Sequence, residues 1–524
     1  VTHRCIFLTS STHSGLVRTR AGEPSLPPAR VRTRPEWVLL VRKMQRCVTV
    51  PFGGGVGSVD DPVPVGWSNR QGVTGMDATG GADLRAAGDE GADEAAQAPG
   101  GTVPRAAGGA VAITGGTGFL GVRLVRELLD RGRRLILLAH AGSPDALDRV
   151  RRFLIATGAG PALLADLPRR IRVVEVDVAQ PALGLDARAF RELAEDVHAV
   201  WHSAADTALA GDPGQLHRAN VDGTRHVLDL VTAGPRRPSL FHVSTAFVAG
   251  ARSARVVYED DLDASEGFEN AYERSKHDGE VLVREWAARH GRPAVVFRPS
   301  LLLTDLPPSP DLPPHTLDVV ARAVMMIVSM AAEVTLTPEE LDGAPRPTVR
   351  VVGDPLARLN VMAVEDAARD MVRIADHAQP AAVARPAGVA TYHIVGDTEV
   401  TLPEIIDLFE GFFPAHLVAV PEPPADQTRV ERMVDLLPGF SSYLRHRHTF
   451  DDTRARTVLG ERPCGRRIDR DYLLAALGVG DLVEPELADA RPSTATGDGL
   501  EALARARRER ERRSVREPVT RTSR

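Results

Sequence analysis

The feature that most restricts the fold of this chain is a glycine turn. Residues Thr114-Gly115-Gly116-Thr117-Gly118-Phe119-Leu120-Gly121 follow the short apolar run Ala110 to Thr114. They lead into Phe119 to Leu129, where Leu120, Val122, Leu124, Val125, Leu128 and Leu129 recur at helical spacing. A strand that ends in Gly-x-x-Gly-x-x-Gly and opens a helix brings free backbone N–H groups and the positive end of a helix dipole to one point. Glycines let a diphosphate approach that backbone closely. The turn therefore predicts a βα unit that holds a dinucleotide.

The pattern continues downstream. Arg134 to Leu138, Ile171 to Val178, Ala199 to Ser203, Leu240 to Ser244 and Ala294 to Phe297 are further apolar runs, separated by helical patterns such as Leu216 to Val231 and Tyr272 to Ala288. Near-continuous apolar strands alternating with helices predict an α/β, doubly wound parallel sheet. Beyond Pro299 the alternation loosens. The Pro-rich stretch Leu306 to Pro314 is followed by an apolar helix, His315 to Met330, and then by shorter strand and helix patterns. These include Thr348 to Val352, Val364 to Ala375, Tyr392 to Val395 and Leu402 to Phe409.

The predicted organisation is an N-terminal extension over residues 1–106, a nucleotide-binding domain over 107–305, a smaller α/β substrate cap over 306–480 and a charged tail over 481–524. Within the cap region, 348–376 is expected to return to the core of the first domain. Arg, Thr, Ser, Gly and Pro dominate the extension without sustained periodicity, and its Asp77 to Gln97 stretch, rich in Ala, Gly, Asp and Glu, cannot bury enough surface to offset its ordering entropy. Met76 is read as the true start of the protein, with a disordered tail as the alternative.

Composition narrows the function. A net charge of −6 offers no basic surplus for nucleic acid. No run of 18 or more uncharged apolar residues is present, so no membrane-spanning helix is expected. Cys5, Cys47 and Cys464 stand far apart, with neither disulfide nor metal-ligand spacing, which fits a reducing cytoplasm. Basic residues are almost all arginine: the only lysines are Lys43 and Lys276. A lysine that persists in such an Arg-rich chain is a candidate for a specific task.

Lys276 lies four residues after Tyr272, on one face of a predicted helix. A phenol is a weak acid–base catalyst at its ordinary pKa near 10. A neighbouring ammonium and a nicotinamide cation are expected to pull that pKa down, and the same lysine can hold the nicotinamide ribose. The fifth strand ends Phe241-His242-Val243-Ser244-Thr245, so a hydroxyl faces the crevice at the carboxyl end of the sheet. Thr245 or Ser244 can stabilise a developing oxyanion. Asn220 opens Asn-Val-Asp-Gly-Thr as a helix N-cap or a site residue. The second strand ends Leu138-Ala139-His140-Ala141 without a carboxylate to hold a ribose 2′-OH. With Arg149 following, NADPH is favoured over NADH, His140 being the weaker phosphate ligand.

Together these residues resemble the extended short-chain dehydrogenase/reductase superfamily, over roughly Gly109 to Leu477. The resemblance implies a Rossmann-type sheet and a catalytic triad of Thr245 (rather than Ser244), Tyr272 and Lys276. It also implies cofactor contacts from Gly115, Thr117, Gly118, Phe119, Leu120 and Gly121, from His140 and Arg149, and from Asp177 and Val178 at the adenine. Ser203, Ala204, Ala205, Asn220, Pro299 and Ser300 complete that set. Finer motifs, Asp177 to Leu185, His202-Ser-Ala-Ala-Asp, Tyr272-Glu-Arg-Ser-Lys and Val352 to Asp366, are similar to the thioester reductase and fatty acyl-CoA reductase branch, the male-sterility-like NAD-binding group. That implies NADPH-dependent reduction of an acyl thioester on CoA or a carrier protein to an aldehyde, with an alcohol as a further product. His140 stands where many members have arginine. With no adenylation or carrier segment before the reductase, a stand-alone enzyme is expected.

The apolar helix Val319 to Met330 is expected to be core, with an acyl-groove lining as the alternative. Two rival readings stay open. One is an epimerase, dehydratase or hydroxysteroid-type dehydrogenase acting on a sugar nucleotide or alcohol, and the other is a cofactor-binding regulator without catalysis. The Leu183-Gly184-Leu185 segment and the apolar stretch after Pro314 are read in favour of an acyl substrate. Acyl length and oligomeric state are left open.

Overall fold

Strands covered by helices on both faces read as unbroken apolar runs, and here they become one sheet. The computed structural model describes residues 109–140, 145–252, 256–307, 348–384, 388–410, 415–428, 430–432, 441–460 and 466–479. Its strands are β1 (Ala110–Thr114), β2 (Leu135–His140), β3 (Ile171–Val176), β4 (Val197–His202), β5 (Ser239–Val243), β6 (Val256–Val257) and β7 (Ala294–Pro299), then β8 (Leu301–Leu303), β9 (Thr348–Val352), β10 (Arg358–Ala363), β11 (Val389–Ile394), β12 (Thr398–Thr401), β13 (His416–Val420) and β14 (Thr449–Phe450). Seven of them form the main sheet in the order β11-β7-β5-β4-β1-β2-β3. Every pairing in it is parallel. The order reverses between β1 and β4, and this is the place where open parallel sheets of this kind bind ligands, at the carboxyl ends of the strands.

Alternate residues feed two apolar layers. Ile113, Leu135, Leu137, Trp201, Phe241 and Phe297 face one side, against helices α1 (Gly121–Asp130) and α2 (Ala146–Ala156) and residues of the helix Val364–Ala384. Ala112, Ile136, Leu138, Val200, Leu240 and Val296 face the other. They meet residues of α4 (Ala187–Asp196), α5 (Gly223–Ala233) and α6 (Ala271–His290), while α3 (Pro161–Arg170) leads into β3. Val364–Ala384 is α7 in this numbering.

The expected α/β doubly wound sheet is present. One expectation changes: the segment around Tyr392, read as part of the cap, is β11, the outer neighbour of β7, with Tyr392 beside Phe297. Sequence periodicity alone does not tell which sheet a strand joins. The smaller sheets are β12-β10-β8, β13-β9 and β14-β6. Leu303, Leu359, Val361, Tyr443, Ile468 and Tyr472 form a third apolar cluster, and the partly buried Leu209 and Phe247 attach it to the crevice. Among the described residues no helix is long and apolar enough to cross a membrane. The expected extension 1–106, the apolar helix His315 to Met330, the tail 481–524 and the three cysteines lie outside the described residues.

Candidate active site

The dinucleotide turn is closed by backbone. Gly118 N–H donates to Gly115 O at 2.9 Å, and Val122 N–H to Gly118 O at 3.0 Å, so the chain passes straight into α1. Gly115 has φ +68°, and a Cβ there would stand 2.6 Å from the Ala204 nitrogen. A Cβ on Gly121 would stand 1.9 Å from Gly115 O. Both positions therefore require glycine, for conformation at one and for close approach at both. The loop that follows β4 is thereby held against the turn that follows β1.

A buried chain of neutral hydrogen bonds fixes that contact. The Thr114 hydroxyl oxygen accepts from Ser203 N–H (3.2 Å) and Ala204 N–H (3.1 Å). Its proton is thus directed to His202 Nδ1, 2.9 Å away. His202 then carries its own proton on Nε2, which faces the Thr224 hydroxyl at 3.1 Å, and Thr224 donates to Asn220 O at 2.6 Å. This assignment requires a neutral imidazole. Burial, with the Lys276 charge adding to it, pushes the His202 pKa down to about 3, so the ring stays neutral across the working range.

Asn220 does not cap a helix. It lies in the π-helical turn His217–Asp222 that leads into α5. Its side-chain oxygen accepts from Asp206 N–H at 2.8 Å, and its amide donates to Asp206 O (2.9 Å) and to Ser275 Oγ (2.8 Å). Ser275 in turn donates to Tyr272 O at 2.7 Å. Asn220 therefore ties the loop after β4 to helix α6, with each polar group of its side chain engaged by protein.

Helix α6 begins at the N-cap Asn270, whose side chain accepts from Glu273 N–H. It ends at Gly291 in the left-handed conformation, φ 58°. Tyr272, Lys276 and Glu280 repeat every four residues along it. The Tyr272 phenol shares a hydrogen bond with the Thr245 hydroxyl, while Ser244 is buried beside Glu280. The structure thus brings Thr245, rather than Ser244, to the tyrosine. Lys276 donates from Nζ to Val243 O at 2.8 Å. Burial pushes its pKa down to about 8, opposed by the Glu280 carboxylate.

The expected lowering of the Tyr272 pKa is not found in this state. Burial pushes the phenol up to about 12; the Thr245 hydrogen bond works against that rise, and the Glu273 charge adds to it. The lysine ammonium is turned to a strand carbonyl instead. Beneath the helix, Arg298 and Glu280 form a fully buried two-pronged ion pair at 2.9 and 2.8 Å. Burial alone would raise the Glu280 pKa, but the guanidinium outweighs it and holds the carboxyl below its ordinary value.

The remaining expected positions fall around the rim. Thr117, Phe119 and Leu120 are partly buried and Gly118 is exposed at the mouth of the turn. His140 ends β2 and Arg149 stands on α2, both exposed. Asp177 Oδ1 accepts from Ala179 N–H at 2.9 Å, and Val178 O faces His226 Nδ1 at 2.9 Å. Ser203, Ala204 and Ala205 are partly buried, Pro299 ends β7, and Ser300 is buried next to it. The Leu183-Gly184-Leu185 segment is not part of a substrate wall. Leu183 O accepts from Asp177 N–H, and the Leu183 side chain is buried with Val176 and Val200 under the sheet. Its apolar character serves the core, so it carries no information about an acyl group.

Sequence reasoning missed three contributors: His202 as a neutral link, the Glu280–Arg298 pair, and Tyr443, which reaches Glu273. Glu280 was open to detection as the next four-residue step after Tyr272 and Lys276. Tyr443 lies 170 residues from its partner, and no local pattern announces it.

The parallel sheet order, the glycine cradle and the Thr-Tyr-Lys set at the strand ends define an extended short-chain dehydrogenase/reductase. An NAD-binding family model, described as "Male sterility protein", matches residues 113–346. Curated relatives include an isonitrile lipopeptide synthase of Streptomyces coeruleorubidus, 37% identical over 38% of this chain and 14% of that protein. Another isonitrile lipopeptide synthase, from Mycobacterium tuberculosis, is 31% identical over 58% of this chain and 12% of its own length. A carboxylic acid reductase of the same organism is 30% identical over 40% of this chain and 19% of its length. The chain thus spans a small part of these relatives. Among solved structures, the terminal R domain from the myxalamid PKS-NRPS pathway aligns with a TM-score of 0.55 at 24% identity, covering 74% of this chain and 94% of that one. The reductase domain of a nonribosomal peptide synthetase from Mycobacterium tuberculosis aligns with a TM-score of 0.51 at 24% identity, covering 71% and 92%. At that identity the likeness concerns the fold.

Proposed function

We propose that this chain is an NADPH-dependent reductase of acyl thioesters, on CoA or a carrier protein, with an aldehyde as product. The observation that carries the reading is the Thr245–Tyr272 hydroxyl pair, with Lys276 one helical turn on, at the strand ends beside the glycine cradle. A cradle that any Cβ would fill suits a dinucleotide diphosphate at the N-terminus of α1. Gly115, Thr117, Gly118, Phe119, Leu120 and Gly121 would line it, Asp177 and Val178 the adenine side, and Ser203, Ala204, Ala205, Asn220, Pro299 and Ser300 the inner wall. His140 and Arg149 follow β2, where no carboxylate competes for a 2′-phosphate, and this supports NADPH.

When bound, NADPH supplies the hydride. Thr245 and Tyr272 hydrogen-bond the thioester oxygen as it gains negative charge. The Tyr272 O–H bond breaks and its proton passes to that oxygen, giving a tetrahedral hemithioacetal that expels the thiol and leaves the aldehyde. Lys276, protonated below about pH 8, orients the ribose and favours the phenolate that remains. The names of the solved R domains of peptide synthetase pathways and of a carboxylic acid reductase support an activated acid over a sugar nucleotide. A second reduction to the alcohol uses the same groups and is left as a proposal, as are the division near residue 306 between nucleotide and substrate parts and a cytoplasmic location.

The test is NADPH oxidation with a panel of acyl-CoAs and carrier-bound acyl groups. Turnover that falls by about 10²–10⁴-fold in Tyr272→Phe, with NADPH binding kept, is the expected result. Turnover of a sugar nucleotide or secondary alcohol, with none on any thioester, would overturn the reading.

A further inference from the structure

A phenol from outside the nucleotide half reaches the start of the catalytic helix. Tyr443 lies in the short turn Ser441–Arg445 and is buried. Its hydroxyl donates to Glu273 Oε1 at 2.7 Å and accepts from the Asn270 amide at 3.0 Å. Asn270 and Glu273 are the N-cap and third residue of α6. The Asn270 oxygen accepts from Glu273 N–H at 3.0 Å, and Glu273 Oε2 accepts from Glu269 N–H at 3.0 Å. This is a reciprocal cap of the helix start, and Tyr443 closes it from a distant part of the chain.

The same ring reaches the other half of the catalytic pair. Tyr443 stands edge-on to Phe247 with centroids 4.9 Å apart, and Phe247 N–H donates to the Thr245 hydroxyl oxygen at 3.3 Å. His446, 5.3 Å from the Tyr443 ring, faces Glu269 Oε1 at 3.0 Å. The turn itself is anchored to the strand layer by Asp354 N–H to Leu444 O and Arg358 N–H to His446 O. One side chain therefore contacts the turn that carries Thr245 and the turn that carries Tyr272.

We propose that Tyr443 is a positioning residue for the reaction: its hydroxyl and ring fix the spacing between Thr245 and Tyr272 and couple that spacing to the 441–448 segment. This rests on the reductase reading of the same site. The charge of Glu273 is part of the device. Burial pushes its carboxyl up, and the Tyr443 hydrogen bond and Glu269 N–H pull it back. Besides Tyr443 it faces Glu269 and His446 across the turn, and Tyr272 beside it. Loss of the Tyr443 hydroxyl lets Glu273 take up a proton at higher pH, and the cap it forms opens.

The experiment compares wild type, Tyr443→Phe, and Asn270→Ser, which retains an N-cap oxygen but loses the donor to Tyr443. All are full chains, and turnover is read with NADPH and whichever thioester wild type accepts. Tyr443→Phe is expected to lower kcat about tenfold with the NADPH KM within about twofold. The acid limb of kcat moves to higher pH, and Glu273→Gln in the Tyr443→Phe background removes that movement. Amide exchange at Glu269 and Glu273 quickens in both single variants. Unchanged kcat and unchanged exchange in Tyr443→Phe, or a lower kcat with an unmoved acid limb, would overturn the proposal. If wild type turns over no thioester, the reductase reading fails, and the exchange at Glu269 and Glu273 then decides the coupling alone.

Discussion

The two sides of the crevice are held by different forces. On the nucleotide side, the turn after β1 and the loop after β4 meet through neutral groups, namely the Thr114, His202 and Thr224 links and the glycines that let backbone touch backbone. On the Tyr272 side, the neutral Asn220–Ser275 link is joined by buried charges on α6: Glu273 to Tyr443, Lys276 to a strand carbonyl and Glu280 to Arg298. Neutral links do not respond to pH or to a missing countercharge; buried charges respond to both. The difference teaches that the contact between the two loops is indifferent to pH and the helix is titratable.

The sharpest way to break this comparison is to remove one charge. Glu280→Gln leaves Arg298 buried without its partner and is expected to cost about 3–5 kcal/mol of unfolding free energy. Glu280→Gln combined with Arg298→Met should recover most of it, as denaturant titration would show. Equal losses in the single and double variants would mean that the pair acts by shape and not by charge.

Next in size is the neutral side. Gly115→Ala places a side chain at φ +68° against the Ala204 backbone. It should cost about 2–3 kcal/mol and abolish NADPH binding by fluorescence, with the same loss at acid and alkaline pH. A strong pH dependence of that loss would put charge into the cradle.

Third is the pH profile. Lys276 has a folded pKa of about 8 against an ordinary 10.5. Below pH 8 it is charged in both states, and the cost of burying that charge is present in full. From about pH 8 to 10.5 the folded state sheds its proton first, so this group's contribution to stability improves with rising pH. Cofactor affinity should run the other way, flat below about pH 8 and falling roughly tenfold per unit above it. Burial pushes the Tyr272 phenol the other way, up to about 12, so the limb is expected from Lys276. Lys276→Arg should carry it out of range; a limb that stays in place would assign it to another group.

The smallest effect is at the rim. His140→Arg offers a permanent charge and paired donors to a 2′-phosphate and should tighten NADPH a few-fold, leaving NADH unchanged in a paired binding titration.

Much of this was legible in the chain. The strands announced themselves because both faces of a parallel sheet are buried, and the glycine turn because its context on either side is fixed. Tyr272 and Lys276 stood out because one helical turn separates them. What stayed hidden lies between distant segments or depends on burial. The Tyr443–Glu273 bond joins parts of the chain that no window of sequence contains. Leu183 is apolar for the sake of the sheet, and its residue type says nothing about which side it serves. The direction of the Tyr272 pKa follows from desolvation, which spacing cannot report.

The main sheet also has an order of assembly written into it. Strand β7 carries the Arg298-Pro299 end of the site, but its outer partner β11 is made only after residue 389 has been added. Until then β7 is an open edge, a template for pairing with other chains. A fragment that stops after β8, although it holds the cradle, Tyr272 and Lys276, should therefore aggregate on synthesis. The β7 edge is closed only once the segment that carries β11 has been made.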